Sequence, residues 1–176
     1  GLSVLAEWSR DGKRVYFNRS AVLVERDLTS GAEREVDREL GVRGGNLSPD
    51  GQYFTVARTD PSTKTASLLL VPVAGSQPRE LLRLTQPEVI GPGSAWTPDS
   101  SALIAIKNTG SRRELWLVSV AGGPPRKLEI DPDIWLEGST GGGDQGFSLS
   151  PDGRSIAFGM GKTVNEVWAL ENFLPA

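Results

Sequence analysis

Four variants of one short phrase recur along the chain: Trp8-Ser-Arg-Asp-Gly-Lys13, Leu47-Ser-Pro-Asp-Gly-Gln52, Trp96-Thr-Pro-Asp-Ser-Ser101 and Leu149-Ser-Pro-Asp-Gly-Arg154. Their aspartates stand at positions 11, 50, 99 and 152, a spacing of roughly 40 to 50 residues that lengthens along the chain. Self-similarity at such a period marks solenoids, propellers or arrays. A turn repeated four times is scaffold, so the phrase speaks to architecture before it speaks to chemistry.

The phrase carries its own reason for a hairpin. Proline presets φ at the first central position, aspartate bonds the backbone ahead of it, and glycine supplies a positive φ without steric cost. Ser100 stands where the other units have glycine, which predicts a turn of a different or more strained type in unit three. After each turn comes an apolar or alternating run: Arg14-Val-Tyr-Phe-Asn18, Tyr53-Phe-Thr-Val-Ala57, Ala102-Leu-Ile-Ala-Ile106 and Ser155-Ile-Ala-Phe158. These read as strands.

A third run follows in every unit, at 21–25, 67–71, 114–120 and 166–170, and a fourth in the first three, at 34–37, 79–83 and 125–129. Small-residue turns such as Ala74-Gly-Ser76 and Ala121-Gly-Gly-Pro124 separate third from fourth. No segment of ten or more residues keeps a 3.6-residue apolar period. The expected fold is all-β, a β-propeller of four-stranded antiparallel blades. It forms a single domain or a partial propeller, with units at about 1–40, 41–86, 87–131 and 132–176. The last blade is expected to be incomplete, or closed by Leu2-Ser-Val-Leu5 or by a partner chain.

The stretch Leu149-Ser-Pro-Asp-Gly-Arg-Ser-Ile-Ala-Phe158, followed by Glu166-Val-Trp168, resembles the repeat of the TolB-like, or WD40-like, β-propeller family of bacterial proteins. Units two and four carry the resemblance most fully; unit one has Arg10 in place of proline and unit three lacks the glycine. The resemblance implies a non-catalytic scaffold that binds a protein or peptide, and an extracytoplasmic, periplasmic setting. The end of the chain, 166–175, resembles the close of propeller regions in large bacterial sensory and kinase-like proteins, which implies the C-terminal part of something longer. Such propellers usually have six or more blades, so four units either close alone, pair with a second copy into a larger ring, or belong to a longer propeller.

Composition removes several chemistries. The 176 residues are 38% hydrophobic and 23% charged, as in a soluble globular domain. There is no cysteine and no histidine, so thiolate ligands, disulfides, a cysteine nucleophile and the commonest general base are absent together. Net charge is −3 and basic residues are scattered, Arg112-Arg113 and Arg126-Lys127 being the closest clusters. No nucleic-acid groove is expected from such a field. No run approaches the ~18 apolar residues of a bilayer span. The first residues, Gly1-Leu-Ser-Val-Leu-Ala-Glu7, lack the basic and apolar regions of a secretory signal.

Strand order assigns the longer loops, at 59–65, 85–91, 108–113 and 131–146, to one end of the blades, where a rigid scaffold would present function. In the last of these Trp135 is a candidate interface anchor, although a lid folded over the blade is the preferred reading. Asp133, Glu137 and Asp144, with Asp131, are candidate oxygen donors, but their spacing does not fit a twelve-residue calcium loop and solvated charge is expected instead. Arg112 and Arg113 are candidates for pairing with an acidic partner, against a solvated hairpin tip. Gly141-Gly-Gly143 lacks the lysine and hydroxyl of a phosphate loop.

Without histidine no conventional triad forms around Ser48, Ser150 or Thr97, and their repetition argues for turn hydrogen bonding. No catalytic residue, metal or cofactor is expected. Two further readings stay beside the binding scaffold. One is the substrate-gating propeller of a prolyl-oligopeptidase-like peptidase, whose hydrolase half and Gly-x-Ser-x-Gly elbow are not in these residues. The other is a half-ring that assembles with a second copy of itself.

Overall fold

A computed structural model describes residues 6–20, 22–38, 45–110, 112–129 and 147–158, which contain strands and no helix. Blade 1 comprises β1 (Ala6–Trp8), β2 (Arg14–Arg19), β3 (Val22–Asp27) and β4 (Glu33–Asp37). Blade 2 comprises β5 (Gly45–Leu47), β6 (Tyr53–Asp60), β7 (Thr65–Pro72) and β8 (Arg79–Thr85). Blade 3 comprises β9 (Glu88–Trp96), β10 (Ala102–Thr109), β11 (Arg112–Ser119) and β12 (Arg126–Lys127). In blade 4 the described strands are β13 (Phe147–Leu149) and β14 (Ile156–Phe158). Each sheet is an antiparallel meander in chain order. The expected strands at 2–5 and 166–170 lie outside the described residues.

Blades pack face to face in sequence order. Tyr16, Leu23 and Val36 of blade 1 share a core with Phe54, Val56 and Val71 of blade 2. Leu68 and Leu70 of blade 2 join Trp96, Leu103, Ala105 and Val118 of blade 3. Ile104, Ile106 and Leu115 of blade 3 join Phe147 of blade 4. The two-residue period of a strand lets one segment serve two junctions. Thus Leu103 and Ala105 on β10 face blade 2, and Ile104 and Ile106 face blade 4. Strands covered on both sides therefore read as unbroken apolar runs, as in Leu68-Leu-Leu-Val71. Burying one such leucine contributes about 1.5–3 kcal/mol.

Polar links cross the same junctions. Arg34 of blade 1 donates to the Val73 carbonyl of blade 2 at 2.9 Å, and Arg79 of blade 2 donates to the Val120 carbonyl of blade 3. Arg79 is the first residue of β8 and Arg34 the second of β4, and their acceptors follow β7 and β11, so one clasp is built twice. Gly75 and Gly122, in the turns beside the two clasps, hold φ of 85° and 96°, and it is this backbone rather than crowding that favours glycine, since a Cβ would meet Arg34 Nη1 and Arg79 Nη1 at ordinary contact distances of 3.5 and 3.8 Å. Nearer the inner strands, Asn46 donates to the Ser94 carbonyl at 2.5 Å and Trp96 Nε1 donates to the Asn46 carbonyl at 3.0 Å.

The strands run further than their apolar stretches suggest. β6 continues through Arg58 and Thr59 to Asp60, and β10 through Lys107 and Asn108 to Thr109. The loops expected at 59–65, 85–91 and 108–113 are consequently short turns between long strands. β9 absorbs Gly91, Pro92 and Gly93 beside a register shift opposite Ala105 and Lys107. A proline is tolerated there because the inner strand is a sheet edge.

Candidate functional site

Chain direction in a meander divides the turns between two ends. The aspartate turns and the third-to-fourth turns lie at one end; the second-to-third turns and the blade-to-blade connections lie at the other.

At the aspartate end the same network closes four times. Ser9, Ser48, Thr97 and Ser150 donate their hydroxyls to Asp11, Asp50, Asp99 and Asp152 at 2.6, 2.5, 2.6 and 2.5 Å. Each carboxylate also accepts the backbone N–H two residues on, from Lys13, Gln52, Ser101 and Arg154. Each hydroxyl oxygen in turn accepts the backbone N–H five residues on, from Arg14, Tyr53, Ala102 and Ser155. The hydroxyl, followed by the backbone donor, holds Asp11, Asp99 and Asp152 below the usual carboxylate range. Both groups are thus engaged in shaping the turn.

Ser100 has φ of 60°, beside 67°, 75° and 69° for Gly12, Gly51 and Gly153. The turn of blade 3 is therefore the same turn carrying a strained residue, not a different one. Ser100 is buried, and its Oγ accepts the Asp50 N–H of blade 2 at 3.1 Å.

The loop end is charged and tightly turned. Asp60 at the end of β6 accepts from the Ser62 hydroxyl at 2.6 Å and from the Ser62 and Thr63 N–H groups. With the Ser62 hydroxyl as the largest cause, this lowers its pKa to about 2. Lys64, exposed and at φ 55°, completes that turn. Lys107 pairs with Glu88 at 2.5 Å and lies 4.7 Å above the Trp116 ring. Trp116 Nε1 and Lys127 both donate to Glu114, at 3.0 and 2.8 Å, and hold its carboxyl below the usual range, Lys127 most strongly.

Of the residues singled out in the sequence, Arg112 and Arg113 begin β11, opposite Thr109 and Asn108 at the β10–β11 turn, and Arg113 is exposed. Trp135, Asp133, Glu137 and Asp144 lie outside the described residues. The structure adds Asp60 and Lys64 to this end, and the Arg34 and Arg79 clasps between blades. Two arginines near the start of equivalent fourth strands were the available signal for the clasps. Among the described residues no three His, Cys, Asp or Glu side chains gather as a metal site. No helix among them is long and apolar enough to cross a membrane.

Blades of four antiparallel strands, stacked in chain order with inner strands adjoining, define a β-propeller fold. No protein-family model matches the chain, and comparison with curated proteins returns no match. Solved structures do match. TolB from Acinetobacter baumannii superposes with a TM-score of 0.65 at 18% identity, covering 89% of this chain and 37% of that one. A protein assigned as TolB from Agrobacterium tumefaciens gives 0.63 at 23%, covering 90% and 54%. A puromycin-hydrolyzing peptidase of Mycobacterium tuberculosis gives 0.63 at 19%, covering 89% and 27%. The fold is TolB-like, and the chain spans about half the length of the Agrobacterium protein or less of the others.

Proposed function

We propose that this chain is a non-catalytic scaffold of TolB-like propeller type that binds a protein or peptide through its loop end. The observation that carries the reading is the engagement of all four Ser/Thr–Asp pairs in closing their own turns. In a chain without histidine or cysteine this takes up the recurrent hydroxyls and carboxylates that acyl or glycosyl transfer would need. The loop end, by contrast, offers charge on rigid turns, with Asp60, Lys64 and Arg113 projecting from long hairpins.

Selection of a phage-displayed random peptide library against the chain tests this. Enriched peptides are expected to bind at least tenfold more weakly to Lys64→Glu and Arg113→Glu variants, and unchanged to Arg10→Glu and Arg154→Glu variants at the opposite end. The reverse pattern, or hydrolysis of peptide or glycoside substrates by the purified chain, contradicts the proposal.

A second reading is the propeller domain of a larger peptidase, supported by the superposition on the mycobacterial enzyme. Under it the partner of the propeller is a hydrolase domain of the same polypeptide. The longest natural form of the protein would then cleave peptides that residues 1–176 leave intact.

A further inference from the structure

Three of the four turns carry an aspartate followed directly by glycine: Asp11-Gly12, Asp50-Gly51 and Asp152-Gly153. In such a pair the glycine nitrogen meets no hindrance from a side chain of its own and can close on the aspartate Cγ. The nitrogen gives up its proton, the N–Cγ bond forms, and the OH of the neutral carboxyl leaves with that proton as water, giving a cyclic succinimide. Solvent water then reopens the ring. Addition at the Cα carbonyl breaks that carbon's bond to the nitrogen, so the chain now runs through the side chain as L-isoaspartate and the α-carboxylate is set free. Closure needs a neutral carboxyl, an available N–H and a turn free to rearrange.

The network shared by the turns opposes each requirement. The hydroxyl and the N–H two residues on favour the ionised carboxylate, Ser9 more than Lys13 at Asp11. The glycine N–H is engaged by the carbonyl of the residue that supplies the hydroxyl, at 2.9 Å from Gly12 to Ser9, 2.8 Å from Gly51 to Ser48 and 2.8 Å from Gly153 to Ser150. The ring can close only after the turn has opened locally.

What keeps the turns shut differs among the blades. Pro49, Pro98 and Pro151 fix φ ahead of their aspartates, whereas Arg10 stands at that place in blade 1. The Asp50 N–H is tied to Ser100 of blade 3. Gly153 lies against Pro98 of blade 3, whose Cδ would stand 3.0 Å from a Cβ there. In blade 3 the residue after Asp99 bears a side chain, and Ser101 Oγ reaches both carboxylate oxygens, at 2.9 and 2.8 Å. Asp11 has none of these restraints. It is exposed, its bonds to Ser9 and Lys13 both fall on Oδ1, and no atom lies within 4 Å of where a Gly12 Cβ would stand.

We propose that Asp11-Gly12 is a modification site, an isoaspartyl site held latent by the Ser9 hydroxyl and formed when the turn of blade 1 opens. The product has an extra backbone carbon between Trp8 and Val15 and a carboxylate on a shorter arm. The bonds to Ser9 and to the Lys13 N–H are then lost together, and the Trp8–Val15 pairing of β1 with β2 loosens. The site lies at the aspartate end and is independent of what the loop end binds.

The probe is an isoaspartate O-methyltransferase with tritiated S-adenosylmethionine, which esterifies the freed α-carboxylate. The chain is aged at neutral pH, cut after glutamate so that Asp11 is the single aspartate of fragment 8–25, and the fragments are labelled. Label is expected in 8–25 several-fold ahead of the fragments that hold Asp50 and Asp152, and about equally in all three when the chain is aged unfolded in urea. Ser9→Ala should raise the 8–25 label about tenfold, as loss of one charge-assisted hydrogen bond allows. Ser9→Thr, which copies the Thr97–Asp99 pair of blade 3, should leave it unchanged. Arg10→Pro should lower it to the level of the Asp50 fragment. If Ser9→Ala unfolds the chain, label rises in all three fragments and Arg10→Pro decides. Equal labelling in the folded chain, a lead by the Asp50 or Asp152 fragment, or an 8–25 label unmoved by Arg10→Pro, or by Ser9→Ala in a folded chain, overturns the proposal.

Discussion

Asp50 in the turn of blade 2 donates its backbone N–H to the Oγ of Ser100 in the turn of blade 3, across 3.1 Å. The acceptor belongs to a serine held in the left-handed region at φ 60°, a conformation that disfavours a side chain by about 1–2 kcal/mol. The hydroxyl that occupies the strained slot therefore satisfies a neighbouring blade.

Two substitutions separate strain from bonding. Ser100→Ala keeps the strain and leaves the Asp50 N–H without its acceptor, at an expected cost of about 1–3 kcal/mol. Ser100→Gly loses the same bond but relieves the backbone, and should be more stable than the alanine variant by about 1 kcal/mol. Urea titrations that rank alanine level with or above glycine would show that the slot is not strained.

The tryptophans in the motif slot of blades 1 and 3 should respond differently. Trp96→Phe removes the donor to the Asn46 carbonyl from a buried site and is expected to cost about 1–2 kcal/mol, and Trp96→Ala about 3–5 kcal/mol. In residues 1–176 the exposed Trp8 is expected to accept phenylalanine within about 0.5 kcal/mol. Equal losses at the two positions would mean that Trp8 is already covered.

Acid should loosen the β6–β7 turn through Asp60, at low pH. Its folded pKa of about 2 lies below the ordinary value of 3.8, so the unfolded chain takes up the proton first as pH falls. The contribution is complete above pH ~4 and is lost as pH drops through about 2. A carboxyl carbon titration followed by NMR should give a midpoint near 2, moving toward 3.8 in Ser62→Ala. A midpoint near 3.8 in the parent chain would remove the hydroxyl from the account.

The two arginine clasps sit in different junctions and should act independently. Arg34→Ala and Arg79→Ala are each expected to cost about 0.5–1.5 kcal/mol, and the double variant their sum to within about 0.5 kcal/mol. Strong non-additivity would indicate that the junctions between blades 1 and 2 and between blades 2 and 3 are coupled.

The blades were legible because their signals are local. The Ser/Thr–Asp pair and the glycine after it are fixed by one turn, and the apolar runs at 53–57 and 102–106 are fixed by burial on one or both faces. What lay beyond local signal was missed. β6 and β10 extend through Arg58–Asp60 and Lys107–Thr109 on ladder pairing and polar side-chain contacts such as Lys107 with Glu88, with no apolar periodicity to mark them. Residues 85–91 read as a loop, yet β9 already begins at Glu88 and takes in Gly91-Pro-Gly93 beside a register shift at the inner edge of the sheet. The clasps of Arg34 and Arg79 depend on the offset between neighbouring blades, which no single repeat contains. At the candidate site, Arg113 could be picked out as exposed charge, whereas the role of Asp60 depended on donors brought round by its turn.

The central claim, that blades stack face to face in chain order, rests most simply on Tyr16 of blade 1 and Phe54 of blade 2, whose rings meet edge to face with centroids 5.1 Å apart. With only two tyrosines and five phenylalanines in the chain, the aromatic region of a nuclear Overhauser spectrum can be assigned. The account predicts cross-peaks between the ring protons of Tyr16 and Phe54. Their absence, in a sample that still shows the β1–β4 and β5–β8 cross-strand contacts, would contradict the stacked arrangement.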